Sequence, residues 1–313
     1  MQPLTKQIIE RHGIRFRKDQ KQAFFNALRD GLEPLGLEPR QSADRMLLKN
    51  HNIVVGDPEK AELLFTAHYD TPPRMRVPAN IILPRSLLLS LLYQLAWVLA
   101  IFALSFAATA ATGLSPFWAM ELGLVLFIAL AVFLFMGGAN KNNRNDNTSG
   151  VATLTELMAA LPERLRHRAA FVFFDHEEFG LLGSSAFAGR HGKKLSGKIV
   201  VNIDCVGDGD EILFFPSKAA RADQGFIERL NASLCPQQGK KLGVASEKGW
   251  FFPSDQMSFR LGVGVGAFRR SKAFGLYMNR IHTARDTVLD ENNLQAVVQT
   301  LAALLENTDR AQA

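Results

Sequence analysis

The chain has 313 residues, a formal net charge of +6, and a charged fraction of 21%. Its lysines and arginines are scattered, with no long basic run and no interleaved aromatic residues, so the composition argues against a nucleic-acid partner. Two cysteines are too few to predict a disulfide framework. The first residues carry no apolar run of the signal-peptide type, which predicts that the bulk of the protein stays in the cytoplasm.

The first third of the sequence carries three predicted elements. Apolar residues at helical spacing predict an amphipathic helix over residues 18–36. Residues 45–55 and 61–67 are predicted strands, separated by a turn at Gly56-Asp57-Pro58. The second strand is almost continuously apolar, which is typical of a strand buried on both faces of a sheet.

Two long apolar segments follow. Residues 86–112 contain no charged side chain, and residues 117–136 contain only Glu121. Crossing the hydrocarbon core of a bilayer takes about 20 apolar residues, so both segments are long enough. The polar break at 113–116 predicts a hairpin of two transmembrane helices. The alternative is a pair of buried helices in a soluble core, but soluble helices of this length usually keep a charged face.

The charges around this hairpin predict its orientation. Arg74, Arg76 and Arg85 precede it and Lys141 and Arg144 follow it, whereas the connecting loop has no charge. Basic residues collect on the cytoplasmic side of membrane helices. The sequence therefore predicts a cell-membrane protein with two spans, in which the bulk of the chain faces the cytoplasm.

Helical and strand patterns alternate after the hairpin. Predicted helices begin at Ser149-Gly150, at 181 and at Asp290, a possible N-cap, and predicted strands cover 169–174, 198–203, 211–215 and 261–268. This alternation predicts an α/β fold with a mixed, mostly parallel sheet. Residues 1–80 and 139–313 are expected to form one soluble domain, which residues 81–138 interrupt as the inserted hairpin.

Polar residues collect where the predicted strands end. Ligands bind at the carboxyl ends of the strands in open α/β sheets, so these residues are expected to converge on one rim. They are His68 and Asp70, Glu177 and Glu178, Asp204, Asp146 just before a helix, and His282 after the last predicted strand.

Imidazole and carboxylate groups are the ligands that zinc takes in catalytic sites. A carboxylate can bridge two ions that lie roughly 3.5–4 Å apart, and Asp146 is the natural bridge. We expect His68 and Asp204 to complete one zinc site and Glu178 and His282 to complete the other.

Two further acidic residues are predicted to support catalysis. Asp70 is placed to accept the His68 ring N–H that does not face the metal, which fixes the tautomer of a ligating imidazole. Glu177 is then free to take a proton from a metal-activated water and to pass it to the leaving amine. His176 is expected to be a neighbour of the site and not a ligand.

Taken together, these motifs resemble family twenty-eight of the metallopeptidases, which includes the bacterial leucyl aminopeptidases and aminopeptidase Y. The similarity covers residues 45–70 and 140–307, and its pieces are AHYDT, NDNTSG, FFDHEEFGLLGS, NIDCVG and IHTARDT. The resemblance implies a three-layer α/β/α sandwich, two zinc ions and removal of residues from peptides with a free N-terminus. It also implies that acidic groups beside the metals hold the α-amine of the substrate.

The sequence departs from this family at three places. The hairpin lies between the His68 and Asp146 motifs, where soluble members have a shorter connection. Ile281 stands where some members carry a tyrosine that stabilises the oxyanion, which leaves that donor unassigned. Gln256 follows Asp255 where a histidine is common.

Two other functions remain open from the sequence. Glutaminyl cyclases share the fold but use one zinc, and they would not need both His68 and Asp204 as ligands. A non-catalytic membrane protein built on a peptidase fold typically loses ligands, whereas the full set is present here. The predicted partners are therefore peptides with a free N-terminus and the lipid bilayer.

Overall fold

The computed structural model describes residues 1–45 and 47–309. The helices are α1 (Pro3–Arg11), α2 (Lys18–Leu32), α3 (Leu87–Ala110), α4 (Pro116–Phe135), α5 (Gly150–Ala160), α6 (Glu163–Arg166), α7 (Leu182–Leu195), α8 (Lys218–Ala222), α9 (Gln224–Ala232) and α10 (Glu291–Asp309). The strands are β1 (Pro39–Arg45), β2 (Lys49–Val55), β3 (Leu63–His68), β4 (Ala169–Phe174), β5 (Ile199–Ile203), β6 (Glu211–Pro216), β7 (Lys241–Val244), β8 (Gly262–Ser271) and β9 (Gly275–Tyr277). Shorter turns of helix lie at Glu33–Leu35, Arg144–Ser149, Glu177–Phe179 and Asp255–Ser258.

Most predicted elements are confirmed, but the strand predicted over 45–55 is wrong at its start. The chain turns after Arg45, and β2 begins only at Lys49; residue 46 of the predicted strand lies outside the described residues. Leu47 and Leu48 lie in this turn, and their apolar side chains give the sequence a pattern that is typical of a strand. The preceding strand β1 is mostly polar and carries no strand signal, so the hairpin was not predicted.

The strands form one mixed sheet. Their order is β1-β2-β4-β3-β5-β8-β6-β7, and β9 pairs with β8. The central strands β4, β3, β5 and β8 are parallel to one another, while β1, β2 and β6 pair antiparallel with their neighbours, apart from the parallel β6–β7 pair. This arrangement confirms the predicted mixed sheet with a parallel centre.

Helices cover both faces of the sheet, which confirms the three-layer sandwich. All six residues of β3 and of β4 are buried, so alternate side chains serve opposite faces. Phe65 and Phe171 point into the larger core, which includes residues of α1, α2, α5 and α10. Leu64 and Val172 point into the smaller core on the other face, where Phe187 of α7 packs.

Helices α3 and α4 form an antiparallel pair that leaves the sandwich. The rings of Phe102 and Phe127 lie 5.6 Å apart across the pair, and Gly123 packs close against Phe106. Both helices are long and apolar enough to cross a membrane, with mean hydropathies of 2.3 and 2.4. Few of their residues are buried by the rest of the described chain. At about 1.5 Å per residue, α4 alone is about 30 Å long.

The base of this helix pair is joined to the sandwich by backbone hydrogen bonds. Arg74 N donates to Gly138 O at 2.8 Å, which connects the segment entering the pair to the segment leaving it. Met75 N donates to His282 O at 2.7 Å. The base of the pair therefore touches the loop that carries one of the predicted zinc ligands.

Candidate metal centre

The parallel strands deliver the predicted site residues to one edge of the sheet. His68 is the last residue of β3, Glu177 and Glu178 lie in the turn that follows β4, and Asp204 directly follows β5. The register pairs Ala67 with Phe173, so the ends of β3 and β4 lie side by side. These side chains meet because parallel strands end at the same edge.

All five predicted ligands converge, and Asp146 stands at their centre. His68 Nε2 lies 3.3 Å from Asp146 Oδ1 and 3.4 Å from Asp204 Oδ1. His282 Nε2 lies 3.0 Å from Asp146 Oδ2 and 3.3 Å from Glu178 Oε2. Each oxygen of Asp146 thus faces a different histidine, and the donors fall into two sets that share this carboxylate.

The electrostatics of the cluster fit a cation site. Among the described residues, the buried atoms Asp204 Oδ1 and Glu178 Oε1 have no hydrogen-bond partner. Burial raises the pKa values of Glu177 and Glu178, and neighbouring carboxylates raise them further. Buried carboxylates are unfavourable unless they are paired or bind a metal. A cation that takes His nitrogen and carboxylate oxygen would offset this charge, and zinc is such a cation.

The loop that carries Asp146 is held on both sides by side chains that the sequence interpretation missed. Asp286 accepts hydrogen bonds from Asn145 N at 2.7 Å and from Asp146 N at 3.0 Å. Asn147 Nδ2 donates to Ile203 O at 3.0 Å, which ties the loop to the end of β5. The peptide bond between Asp146 and Asn147 is cis. The only sequence signal for Asp286 was an acidic residue four positions after His282.

Asp70 connects two of the converging loops. Its Oδ1 lies 3.4 Å from His68 Nδ1 and accepts a hydrogen bond from Glu177 N at 3.1 Å. Its Oδ2 accepts one from Glu178 N at 3.3 Å. Asp70 therefore holds the Glu177–Glu178 turn by two hydrogen bonds and faces the imidazole of His68, a geometry suited to the orienting role predicted for it.

A second ion pair supports the same turn from behind. Lys21 Nζ of α2 lies 2.5 Å from Asp175 Oδ1, and Asp175 Oδ2 accepts from His51 N at 3.0 Å. His176 Nδ1 lies 2.9 Å from Asn50 Oδ1, on the β2 side. His176 is therefore engaged with β2, as expected for a neighbour of the site.

Two other titratable groups lie beside the cluster. Asp255 is fully buried, and neither of its carboxylate oxygens has a hydrogen-bond partner among the described residues. Burial raises the pKa of Asp255 to about 7. Cys205 lies within metal-binding distance of Asp146 and Asp204, but burial and those carboxylates raise the pKa of its thiol well above its usual value.

A cavity of about 550 Å³ opens onto the cluster. Its polar end is formed by Asp146, Glu177, Glu178, Asp204 and His282. The rest of its wall is mainly apolar and includes Phe252 and Ile281. The cavity offers room for a small substrate next to the acidic groups.

Comparison with known proteins gives one sequence family and several similar folds. The family described as Peptidase family M28 matches residues 138–305. The glutaminyl cyclase of Porphyromonas gingivalis has a TM-score of 0.57 at 16% identity, over 97% of this chain and 96% of that one. The aminopeptidase LapA of Legionella pneumophila has a TM-score of 0.56 at 13% identity, over 97% and 67%. LapB of the same species has a TM-score of 0.53 at 14% identity, over 97% and 69%. No curated protein matches the sequence.

Proposed function

This chain belongs to peptidase family M28, and from that membership we propose that it is a two-zinc aminopeptidase anchored in a membrane. The observation that carries the proposal is the position of Asp146, whose two oxygens lie 3.3 Å and 3.0 Å from the Nε2 atoms of His68 and His282. A carboxylate placed between two imidazoles in this way suits a bridging ligand.

The predicted ligands form two groups, one for each of two zinc ions. His68, Asp146 and Asp204 would hold one zinc, and Asp146, Glu178 and His282 would hold the other. When bound, such a metal pair polarises a substrate carbonyl and lowers the pKa of a water molecule. The first set contains His68 and Asp204, which a single-zinc cyclase would not need, and its presence beside the second set favours two ions.

Glu177 is the proposed general acid and base. Its side chain lines the cavity next to the donors, and its backbone N–H is held by Asp70. Burial raises its pKa well above the usual glutamate range. A carboxyl group of raised pKa both takes the proton of the attacking water and returns it to the leaving amine.

The negative charge at the polar end of the cavity favours binding of the N-terminus of a peptide substrate. A free N-terminus carries a positive α-ammonium group, which acidic groups beside the metals attract. An internal peptide bond or a blocked N-terminus has no such charge. The proposed substrates are therefore peptides with a free N-terminus.

We also propose that α3 and α4 span the cell membrane as a hairpin inserted in the peptidase domain, over residues 81–138. The guanidinium of Arg76 lies 4.2 Å from the ring centre of Phe133 at the base of α4, and that of Arg85 lies 4.3 Å from the ring of Trp250. Basic groups at the base, with none in the far loop, favour a cytoplasmic peptidase domain.

The test combines metal analysis with an activity assay on detergent-solubilised protein. We expect two zinc ions per chain, and hydrolysis of aminoacyl-nitroanilides that falls at least about a hundredfold in Glu177→Gln, in line with general acid–base catalysis. Glu228→Gln, on the surface of α9, is the matched control and keeps full activity. One zinc per chain with cyclisation of N-terminal glutamine would support a cyclase. Wild-type protein as inert as Glu177→Gln with all substrates and metals would support a non-catalytic role.

A further inference from the structure

The wall of the catalytic cavity includes the first helix of the apolar pair. Leu87, Ser90, Leu91 and Gln94 of α3 line the cavity, as do residues 80–83 just before it. Four of the five predicted zinc ligands line the polar end of the same space, namely Asp146, Glu178, Asp204 and His282. The cavity therefore runs from an acidic end at the sheet to an apolar end on α3.

The first two turns of α3 are fixed to the peptidase domain. Three side chains on one face of the helix form hydrogen bonds with the loop before it. Ser90 Oγ accepts from Leu83 N at 2.9 Å. Tyr93 Oη donates to Pro78 O at 2.8 Å, and Gln94 Nε2 donates to Asn80 Oδ1 at 3.5 Å. Residues four apart lie on the same face of a helix. This face holds the start of α3 in place as a fixed part of the cavity wall.

The same turns also begin the surface that faces lipid in the proposed anchoring. Leu88, Leu92 and Leu95 are 67%, 48% and 48% exposed, and they continue the apolar surface of α3 away from the domain. Leu91 is itself 52% exposed, although it lines the cavity. The apolar end of the cavity is therefore continuous with the lipid-facing side of the helix.

We infer that α3 is part of the substrate site, and that the substrates are apolar peptides held in the bilayer whose free N-terminus enters along this helix. The inference rests on the proposed aminopeptidase function. An apolar first side chain contacts Leu87 and Leu91, while the α-ammonium group, which hydrocarbon solvates poorly, moves to the carboxylates. The cavity thus binds the first residue of the peptide through both its apolar side chain and its charged α-ammonium group.

Distance from the bilayer gives the first test. The protein is reconstituted in vesicles with peptides that start Leu-Leu and are anchored by a C-terminal acyl chain through spacers of about 3 or about 15 residues. An extended residue spans about 3.3 Å, so the spacers reach about 10 Å and about 50 Å from the surface. We expect kcat/KM for the short spacer to be within about threefold of that for the long one. Cleavage of the long-spacer peptide alone would overturn entry from the bilayer.

The wall of α3 gives the second test. Leu91→Gln places a polar group in the cavity wall, whereas Leu92→Gln makes the same change one position on, on a side of α3 that does not line the cavity. We expect Leu91→Gln to lower kcat/KM for the anchored Leu-Leu peptide by about tenfold, as for a change in an apolar substrate pocket. Leu92→Gln should stay within about twofold of wild type. Equal effects of the two variants would overturn a substrate role for α3.

These outcomes are distinct from a failure of the proposed function. Wild-type protein that releases leucine from at least one anchored or soluble peptide, with loss in Glu177→Gln, retains the aminopeptidase function whatever the spacer and α3 results. Wild-type protein that cleaves none of them overturns both proposals at once. The Leu91 and Leu92 variants are compared only after equal incorporation into vesicles has been measured.

Discussion

Replacing Asp70 by asparagine isolates the residue that orders two parts of the metal centre. The carboxylate accepts backbone N–H groups from Glu177 and Glu178 at 3.1 Å and 3.3 Å and faces the imidazole of His68 at 3.4 Å. Asparagine has nearly the same shape but offers one acceptor oxygen and an NH₂ group. Whichever way the asparagine amide turns, its NH₂ group faces the backbone N–H of either Glu177 or Glu178, and that N–H group loses its acceptor.

The expected magnitude follows from that mismatch. A hydrogen bond to a charged group contributes about 1.5–3 kcal/mol, which corresponds to roughly 10- to 150-fold in an equilibrium constant. Changes in the groups that orient metal ligands typically lower metal affinity or activity by about 10- to 100-fold. We therefore expect Asp70→Asn to bind zinc about 10- to 100-fold more weakly and to lose a similar factor in kcat/KM.

The assay is competition for zinc with a chelator of known affinity, followed by kinetics at saturating zinc. The matched control is Asp223→Asn, since Asp223 also accepts a backbone N–H, from Phe226 at 2.9 Å, but at the start of α9. Asp223→Asn should leave zinc affinity unchanged. If Asp70→Asn, with an unchanged far-ultraviolet circular dichroism spectrum, bound zinc and turned over substrate within twofold of wild type, the orienting role of Asp70 would be refuted.

Three further predictions concern stability and orientation. A Cβ atom on Gly183 would lie 2.0 Å from the carbonyl oxygen of residue 175, so Gly183→Ala should lose about 3 kcal/mol of unfolding free energy in urea titrations. Gly189→Ala, in the same helix with nothing within 4 Å, should instead be neutral or gain up to about 1 kcal/mol, and equal losses would count against the packing argument. Hydrogen bonds from Arg168 at 2.6 Å and 2.7 Å lower the pKa of Glu62, so this pair stabilises the fold above the unfolded pKa of about 4.3 and the contribution disappears as pH falls through the lower folded value. The stability difference between wild type and Glu62→Gln should therefore be constant near neutral pH and shrink below about pH 4; a difference that does not change with pH would contradict it. The variant Leu114→Cys, in the loop between the apolar helices, should react at the new thiol with a membrane-impermeant maleimide in intact cells, and labelling of that thiol only after permeabilisation would reverse the proposed orientation.

The sequence was sufficient to predict the central strands and the convergence of the site residues. Strand β4 was predicted with the bounds that the structure has, Ala169–Phe174, because a short, continuously apolar run is typical of a strand in the middle of a parallel sheet. The convergence of His68, Asp146, Glu178, Asp204 and His282 followed from the rule that parallel strands end at one edge. That these residues bind zinc stays a prediction.

Contacts between segments distant in sequence were not predictable from local patterns. Arg15 is fully buried and donates from Nε to Tyr69 O at 2.5 Å, yet nothing around it in the sequence distinguishes it from a surface arginine. Asp286 and Lys21 were missed for the same reason, since their partners lie about 140 and 154 positions away. The position of α3 in the cavity wall was likewise invisible in its uniformly apolar sequence.

The place of the apolar pair in the sequence also fixes an order of events during synthesis. His68 ends β3, which lies between β4 and β5 in the sheet, and both of those neighbours are translated only after α3 and α4. The ribosome therefore makes both apolar helices before it makes Asp146, Glu178, Asp204 or His282. The candidate metal centre is complete only once His282 has been made, long after the end of α4 at Phe135. The proposed peptidase activity would therefore arise in a chain whose proposed anchor is already available to the bilayer.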